Sequence, residues 1–351
     1  MNDNWQTKKL EDCLDKVAYP NKIKRKDFLE FGSFPIISQE AEFINGCWNN
    51  EKDLFKIDKP VVIFGDHTQI LKYIDFDFVL GADGVKILSP KSFLDPKFFY
   101  FVLQSVDLKN LGYARHYRLL KETQIPSPPL SEQLHIVKIL DEVFEKIGKA
   151  KENIEKNLQN SKDLFESYLQ SVFINKGQNW EEKKLGDFLK LEYGKPLDKK
   201  DRKENGKFPV YGANGEKDRT DKFYYDKSTI IIGRKGSAGE LNLTESKFWP
   251  LDVTYFVTFD NKKYDLNFVY FLLSTLKLTK LAKGVKPGIN RNDVYLINIF
   301  IPNLKDQKTI VAKLDALSAE TKKLEAIYKQ KLADLEELKK SVLKSAFAGE
   351  L

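Results

Sequence analysis

Cysteine and histidine are scarce in this chain. Its 351 residues include only Cys13 and Cys47 and three histidines, His67, His116 and His135. Two isolated cysteines supply neither a disulfide framework nor a CxxC pair for metal or redox chemistry. The histidines have no partnered nucleophile, so Asp66 beside His67 reads as a surface pair rather than a catalytic one. No apolar run approaches the ~20 residues of a membrane span. The opening MNDNWQTKKLEDCL is too polar for a signal peptide, and the expected location is cytoplasmic.

Nucleotide and nuclease signatures are lacking as well. Gly233, Gly236 and Gly239 in GRKGSAG mimic a phosphate-cradling loop, but a Walker motif needs GK[ST] and here Glu240 follows the last glycine. They read instead as a tight turn carrying Arg234 and Lys235. No glycine-rich loop after an N-terminal strand suits S-adenosylmethionine. Ser127-Pro128-Pro129-Leu130 resembles the Pro-Pro tetrapeptide of amino-methyltransferases, yet Leu130 replaces the aromatic ring that stacks a flipped base. Asp95-Pro96-Lys97 and Asp201-Arg202-Lys203 are poor nuclease motifs, one holding a proline and the other lying in a polar stretch. The expectation is a chain with no catalytic, cofactor or metal residues of its own.

Proline is absent from two long stretches, and these organise the chain. Leu130 to Phe173 and Leu304 to Phe347 repeat one plan at an offset of 174, pairing Gln133 with Gln307, Leu140 with Leu314, Asp141 with Asp315 and Phe173 with Phe347. Apolar residues at steps of three and four predict helices with one apolar face. The predicted seam runs through Leu140, Phe144, Ile147, Ile154, Leu158 and Phe165 in the first copy. In the second it runs through Leu314, Leu317, Leu324, Tyr328, Leu335 and Leu338. Lys151, Ser161, Thr321 and Lys331 interrupt it, so neither helix is expected to be stable alone, and an antiparallel pair within the chain is predicted. A helix of about 40 residues spans about 60 Å, more than one small domain.

A globular segment precedes each long helix, and the two segments also correspond. The Trp-led opening from Asn4 to Asp12 matches Asn179 to Asp187, Phe34-Pro35 matches Phe208-Pro209, VVIFG ending at Gly65 matches TIIIG ending at Gly233, and FFYFVL from Phe98 matches FVYFLL from Phe268. The offset holds at the ends and drifts between them, as a duplicated framework with diverged loops requires. The expected fold is α+β: two duplicated α/β lobes joined by two long antiparallel coiled-coil helices, with pseudo-two-fold symmetry. Expected boundaries are 1–129 and 176–303 for the lobes and 130–175 and 304–351 for the helices. A net charge of +7 favours a polyanionic partner.

In this order the segments resemble the specificity (S) subunit of type I restriction-modification systems, over essentially the whole chain. The resemblance is carried by the twin helix entrances (Pro126 to Gln133; Pro302 to Gln307), by GDHT at Gly65 to Thr68 with GADGVKIL after it, by GRKGSAG, and by the closing LKKSVLKSAFAGEL. It implies that each lobe is a target-recognition domain reading one half of a split, asymmetric site in double-stranded DNA. It further implies that the helices are conserved spacers docking two modification (methyltransferase) subunits, with restriction (motor-nuclease) subunits completing the complex. S-adenosylmethionine, ATP and Mg would belong to those partners.

Phosphate contacts favour Lys, Arg and backbone amides, whereas base edges favour Arg, Asn, Gln, His, Ser or Thr on loops. On that basis the DNA-facing candidates in the first lobe are Ser38, Gln39, Asp66, His67, Thr68, Arg115, His116, Tyr117 and Arg118. In the second they are Tyr211, Asn214, Arg234, Lys235, Ser237, Lys286, Asn290 and Arg291. Three other readings stay open: a nuclease or methyltransferase with an unrecognised centre, a coiled-coil adaptor that binds no DNA, and an S subunit of a methylation-only system.

Overall fold

The computed structural model describes residues 5–109, 111–112, 114–244, 246–348 and 350. Asn4 of the first Trp-led segment, and Gly349 and Leu351 of the closing motif, lie outside them. The chain divides into two compact units, residues 1–155 with 329–351 and residues 156–328.

The first unit contains strands β1 (Thr7–Lys9), β2 (Lys22–Ile23), β3 (Phe34–Ile37), β4 (Gly46–Trp48), β5 (Leu54–Phe55), β6 (Val61–Gly65), β7 (Leu71–Ile74), β8 (Phe78–Gly81), β9 (Val85–Leu88) and β10 (Gln124–Pro126). Helices α1 (Pro96–Ser105) and α2 (Tyr117–Lys121) precede the long α3 (Leu130–Ile174). One sheet has the order β2-β8-β3-β4 with β5 also on β8, a second has β7-β6-β9, and β1 pairs with β10. VVIFG of β6 is buried at every position, which accounts for its unbroken apolar run. Asp95 caps α1 by accepting from the Lys97 and Phe98 amides, and Pro96 fills the first helical position.

The second unit repeats the scheme. Its elements are β11 (Glu181–Lys184), α4 (Leu185–Phe188), β12 (Leu189–Tyr193), β13 (Phe208–Gly212), β14 (Gly215–Thr220), β15 (Ile230–Gly233), β16 (Leu241–Leu243), β17 (Trp249–Pro250), β18 (Thr254–Phe259), α5 (Leu266–Thr275), α6 (Arg291–Tyr295), β19 (Asn298–Ile301) and the long α7 (Leu304–Ala348). The sheets are β12-β18-β15-β16, β14-β13-β17 and β11-β19. Asp265 caps α5 as Asp95 caps α1.

The repeated residues perform repeated jobs. β1 and β10, like β11 and β19, pair antiparallel, which joins the Trp-led segment to the Ile-Pro exit strand. Gln133, fully buried on α3, accepts the Asp95 amide at 2.8 Å and donates to the carbonyls of Phe93 and Pro128. Gln307 on α7 accepts the Asp265 amide at 2.9 Å and donates to Lys263 and Pro302. At the other helix ends, Phe347 packs on Phe98 and Phe173 packs on Phe268, each with ring centroids 5.5 Å apart.

Within the first unit the long helices run antiparallel. Lys339 lies over the Phe144 ring, Lys151 pairs with Glu336 at 3.0 Å, and Leu343, Ala346 and Phe347 share a core with Ile136 and Leu140. In the second unit Leu169, Val311 and Leu314 belong to one core with the lobe. The seam departs from its predicted line at Leu324 and Leu338, which are 41 % and 47 % exposed, while Ser161 and Thr321 are buried. A straight helix drifts about 20° per heptad, so a stripe of fixed spacing walks off the contact line. The Ser161 hydroxyl donates to the Asn157 carbonyl of its own helix. Among the described residues no helix is long and apolar enough to cross a membrane.

Candidate nucleic-acid interface

In the first lobe the candidates converge where β6 ends. The turn after Gly65 is tied to the segment before α2: the Asp66 carbonyl accepts the His116 amide at 2.8 Å, and the Asp66 carboxylate accepts the Tyr117 amide at 2.7 Å. Gln39 joins the same corner. Its side-chain oxygen accepts the His67 amide, its carbonyl accepts the Thr68 hydroxyl, and His67 Nδ1 lies 3.2 Å from the Ala114 carbonyl. Gln39 and His67 are half-buried, and Thr68, Arg115 and Arg118 are exposed. These five form an accessible rim with amide, imidazole, hydroxyl and guanidinium groups. Tyr117 is half-buried beneath Lys86 and Lys121, and burial raises its phenol above the ordinary value.

Three first-lobe candidates support this rim from within. His116 is fully buried, its Nδ1 3.0 Å from the Asp66 carbonyl and its Nε2 accepting the Leu111 amide, so no ring nitrogen is left for a ligand. Asp66 is buried and its carboxylate holds the start of α2. Ser38 is buried, its amide donating to Asn45 and its hydroxyl accepting from the Glu40 amide.

In the second lobe the GRKGSAG loop meets residues 283–291. The Arg234 carbonyl accepts the Ile289 amide and the Gly236 amide donates to Pro287, matching the Asp66–His116 contact of the first lobe. The glycines permit close approach. A Cβ at Gly233 would lie 2.0 Å from the Ser237 carbonyl oxygen, and Gly239, at φ +88°, would bring one within 2.4 Å of the Thr279 amide. Above this loop both guanidiniums face one ring: Arg234 lies 5.3 Å and Arg291 4.9 Å from the centroid of Tyr193. Arg234 also donates through Nε and Nη2 to the Asp252 carbonyl, at 3.0 and 2.6 Å, and Arg291 through Nη1 to Leu191. Lys235 and Lys286 are exposed, Ser237 half-buried.

The remaining candidates stand apart. Tyr211 is buried in an aromatic cluster with Phe248 and Phe256, its ring edge-on to Phe248. Asn214 is exposed in the turn between β13 and β14. Asn290 is exposed, but its side chain caps α6 by accepting the Asn292 amide.

Two further positions shape these corners without a mark in the sequence pattern. Tyr193 ends an alternating strand, LKLEY, and only the loops folding over it give it a role. Lys72, buried on β7, donates to the carbonyls of Glu42 and Phe43 and to Asn45 Oδ1, fixing the loop that begins at Gln39. Burial pushes its ammonium down to about 8. The available signal was its place on the inward face of β7, in register with Ile74.

The sequence family described as type I restriction modification DNA specificity domain matches this chain twice, over residues 2–159 and 177–336. The chain belongs to the type I restriction-modification specificity family. Among curated relatives, the putative type I restriction enzyme MjaX specificity subunit of Methanocaldococcus jannaschii is 26 % identical, over 99 % of this chain and 94 % of its own length. The EcoR124I/EcoR124II specificity subunit of Escherichia coli is 23 % identical over 86 % of this chain and 84 % of its length.

Solved structures share the fold of this specificity-family chain. One, from work on complex assembly and conformational transition of the type I R-M system, has a TM-score of 0.76 at 16 % identity and covers 100 % of this chain and 99 % of that one. The HsdS subunit from Thermoanaerobacter tengcongensis has a TM-score of 0.55 at 16 % identity, with 100 % and 98 % covered. The duplicated α+β lobes and the two long helices therefore belong to a specificity-family architecture.

Proposed function

We propose that this chain is the sequence-reading component of a type I restriction-modification complex. Each lobe reads one half of a bipartite, asymmetric site in double-stranded DNA, and the long helices dock two methyltransferase subunits. The observation that carries this reading is the pair of equivalent corners built from different chemistry. One framework, held by the Asp66–His116 contact in the first lobe and the Arg234–Ile289 contact in the second, carries Gln39, His67, Thr68, Arg115 and Arg118 at the first corner and Arg234, Lys235, Ser237, Lys286 and Arg291 at the second. Identical rims would suit a palindrome; differing rims suit two unlike half-sites.

On this reading the chain performs no bond-making step. Methylation of adenine with S-adenosylmethionine belongs to the methyltransferase subunits, and ATP- and Mg-dependent cleavage belongs to restriction subunits, all acting in the cytoplasm. Base contacts in each lobe contribute about 1–3 kcal/mol of discrimination apiece, and exposed lysines and arginines add salt-dependent affinity.

The test is a genome-wide map of N6-methyladenine in cells making this chain with its methyltransferase, compared with cells making the methyltransferase alone. A split asymmetric motif that appears only when the chain is present is expected. An assembled complex that adds no motif would leave an adaptor role instead.

A further inference from the structure

Arg234 and Arg291 form an unusual pair. Both guanidiniums sit within about 5 Å of one half-exposed tyrosine ring, at 5.3 and 4.9 Å from its centroid, and each is bound to a main-chain carbonyl. Among the described residues neither has a carboxylate within salt-bridge distance, although most ion pairs of this lobe, such as Arg202–Asp218 and Lys203–Asp221, are made locally. Two guanidiniums on one ring, with no carboxylate against either, leave a net positive corner that the Tyr193 π-system offsets only in part. An anion beside them would neutralise it. Lys235 and Lys286, exposed on the two loops that build the corner, add positive charge around the same place.

The geometry points to a phosphodiester of the DNA backbone as the ligand of the Tyr193–Arg234–Arg291 cluster, so that this corner positions the second lobe on the duplex rather than reading a base. This inference rests on the recognition role proposed above and assigns one contact within it. The hydrogen bonding favours phosphate over a base. Arg234 spends its Nε–Nη2 edge, one of the two guanidinium edges suited to the paired acceptors of guanine, on the Asp252 carbonyl. Arg291 lies over the same ring and is tied through Nη1 to the Leu191 carbonyl. What remains are outward N–H groups and fixed charge, which suit a non-directional anion contact. By contrast, the accessible first-lobe rim carries Gln39, His67 and Thr68, side-chain types suited to base edges.

The test compares Arg234→Gln, Arg291→Gln and the charge-preserving Arg234→Lys and Arg291→Lys in the assembled complex with its methyltransferase. DNA affinity is measured as a function of salt, and the methylated motif is mapped. Each Gln variant is expected to bind roughly tenfold more weakly at low salt and to flatten the slope of log affinity against log salt by up to about 0.9. The second half-site should keep its sequence, and the Lys variants should keep most of the slope. A purely structural role would lower the melting temperature of Gln and Lys variants alike and leave the slope unchanged, overturning the assignment. So would a second half-site that becomes degenerate with the slope retained, which would mean base reading. Loss of methyltransferase assembly with unaltered DNA binding would make the corner a protein contact and likewise overturn it. If the wild-type complex bound no DNA, the recognition role itself would fall, a result distinct from all of these.

Discussion

At the scale of single residues, the first lobe depends on a buried charge. Lys72 holds three oxygens of residues 42–45, and that loop carries Gln39 into contact with His67 and Thr68. Burial is the main cause of its lowered value of about 8, with the Glu42 charge opposing it. The consequence for stability has a definite sign. Below about 8 the ammonium is charged in both folded and unfolded chains, and burying it is a standing cost. Between about 8 and the ordinary lysine value of 10.5 the unfolded chain binds more protons than the folded one, so this group adds stability as pH rises. Thermal melts of wild type and Lys72→Met from about pH 7 to about pH 10 should show wild type gaining on the variant toward the alkaline end. Parallel curves would show that the ammonium is not desolvated as the structure implies. The same scale explains why several sequence candidates proved to be supports. His116, Asp66 and Ser38 have side chains suited to reading bases, but their hydrogen-bonding groups are used within the lobe. Residue type revealed the chemistry available at the corner; only the fold showed which way each group faced.

At the scale of elements, each lobe is fastened to both long helices through its own helix. The long helix that follows a lobe inserts a glutamine beneath the cap of the lobe helix: Gln133 at α1 and Gln307 at α5. The end of the other long helix lays a phenylalanine on the first aromatic of that lobe helix, Phe347 on Phe98 and Phe173 on Phe268. Gln133→Leu would strand the Asp95 amide and two carbonyls, each worth about 1–3 kcal/mol when buried without a partner. Hydrogen exchange should therefore quicken in α1 of Gln133→Leu and leave α5 unchanged, and Gln307→Leu should do the reverse. Equal exchange in both helices would mean that the glutamines are not the fasteners. These connections were legible as repeats because each serves the same geometry twice, and the two long helices end within a residue of the repeated stretches Leu130 to Phe173 and Leu304 to Phe347. The lobe sheets were less legible. Strands such as β2 and β17 have two residues, and β2–β8, β3–β8 and β13–β17 are parallel pairings between segments far apart in sequence. No local pattern encodes such partners.

At the scale of the whole molecule, both long helices are shared by the two units: α3 divides after Glu155 and α7 after Tyr328. If the lobes read two half-sites of one target, the length of these helices becomes a variable of recognition. Seven added residues lengthen an α-helix by about 10 Å and return its face to within about 20°, so a heptad inserted near each division preserves the seam. Along DNA about 10 Å corresponds to about three base pairs at 3.4 Å per step. Matched insertions in both helices should therefore lengthen the unread spacer of the methylated motif by about three base pairs and leave both half-site sequences intact. Because about three base pairs also turn the duplex by roughly a quarter to a third of a revolution, methylation by the lengthened complex should be slower, the DNA having to untwist to present both half-sites. A heptad in one helix alone shifts the pairing on one side of the insertion and should prevent assembly. Methylation maps of the paired insertion decide the matter: an unchanged spacer, or an altered half-site, would mean that the helices do not set the spacing.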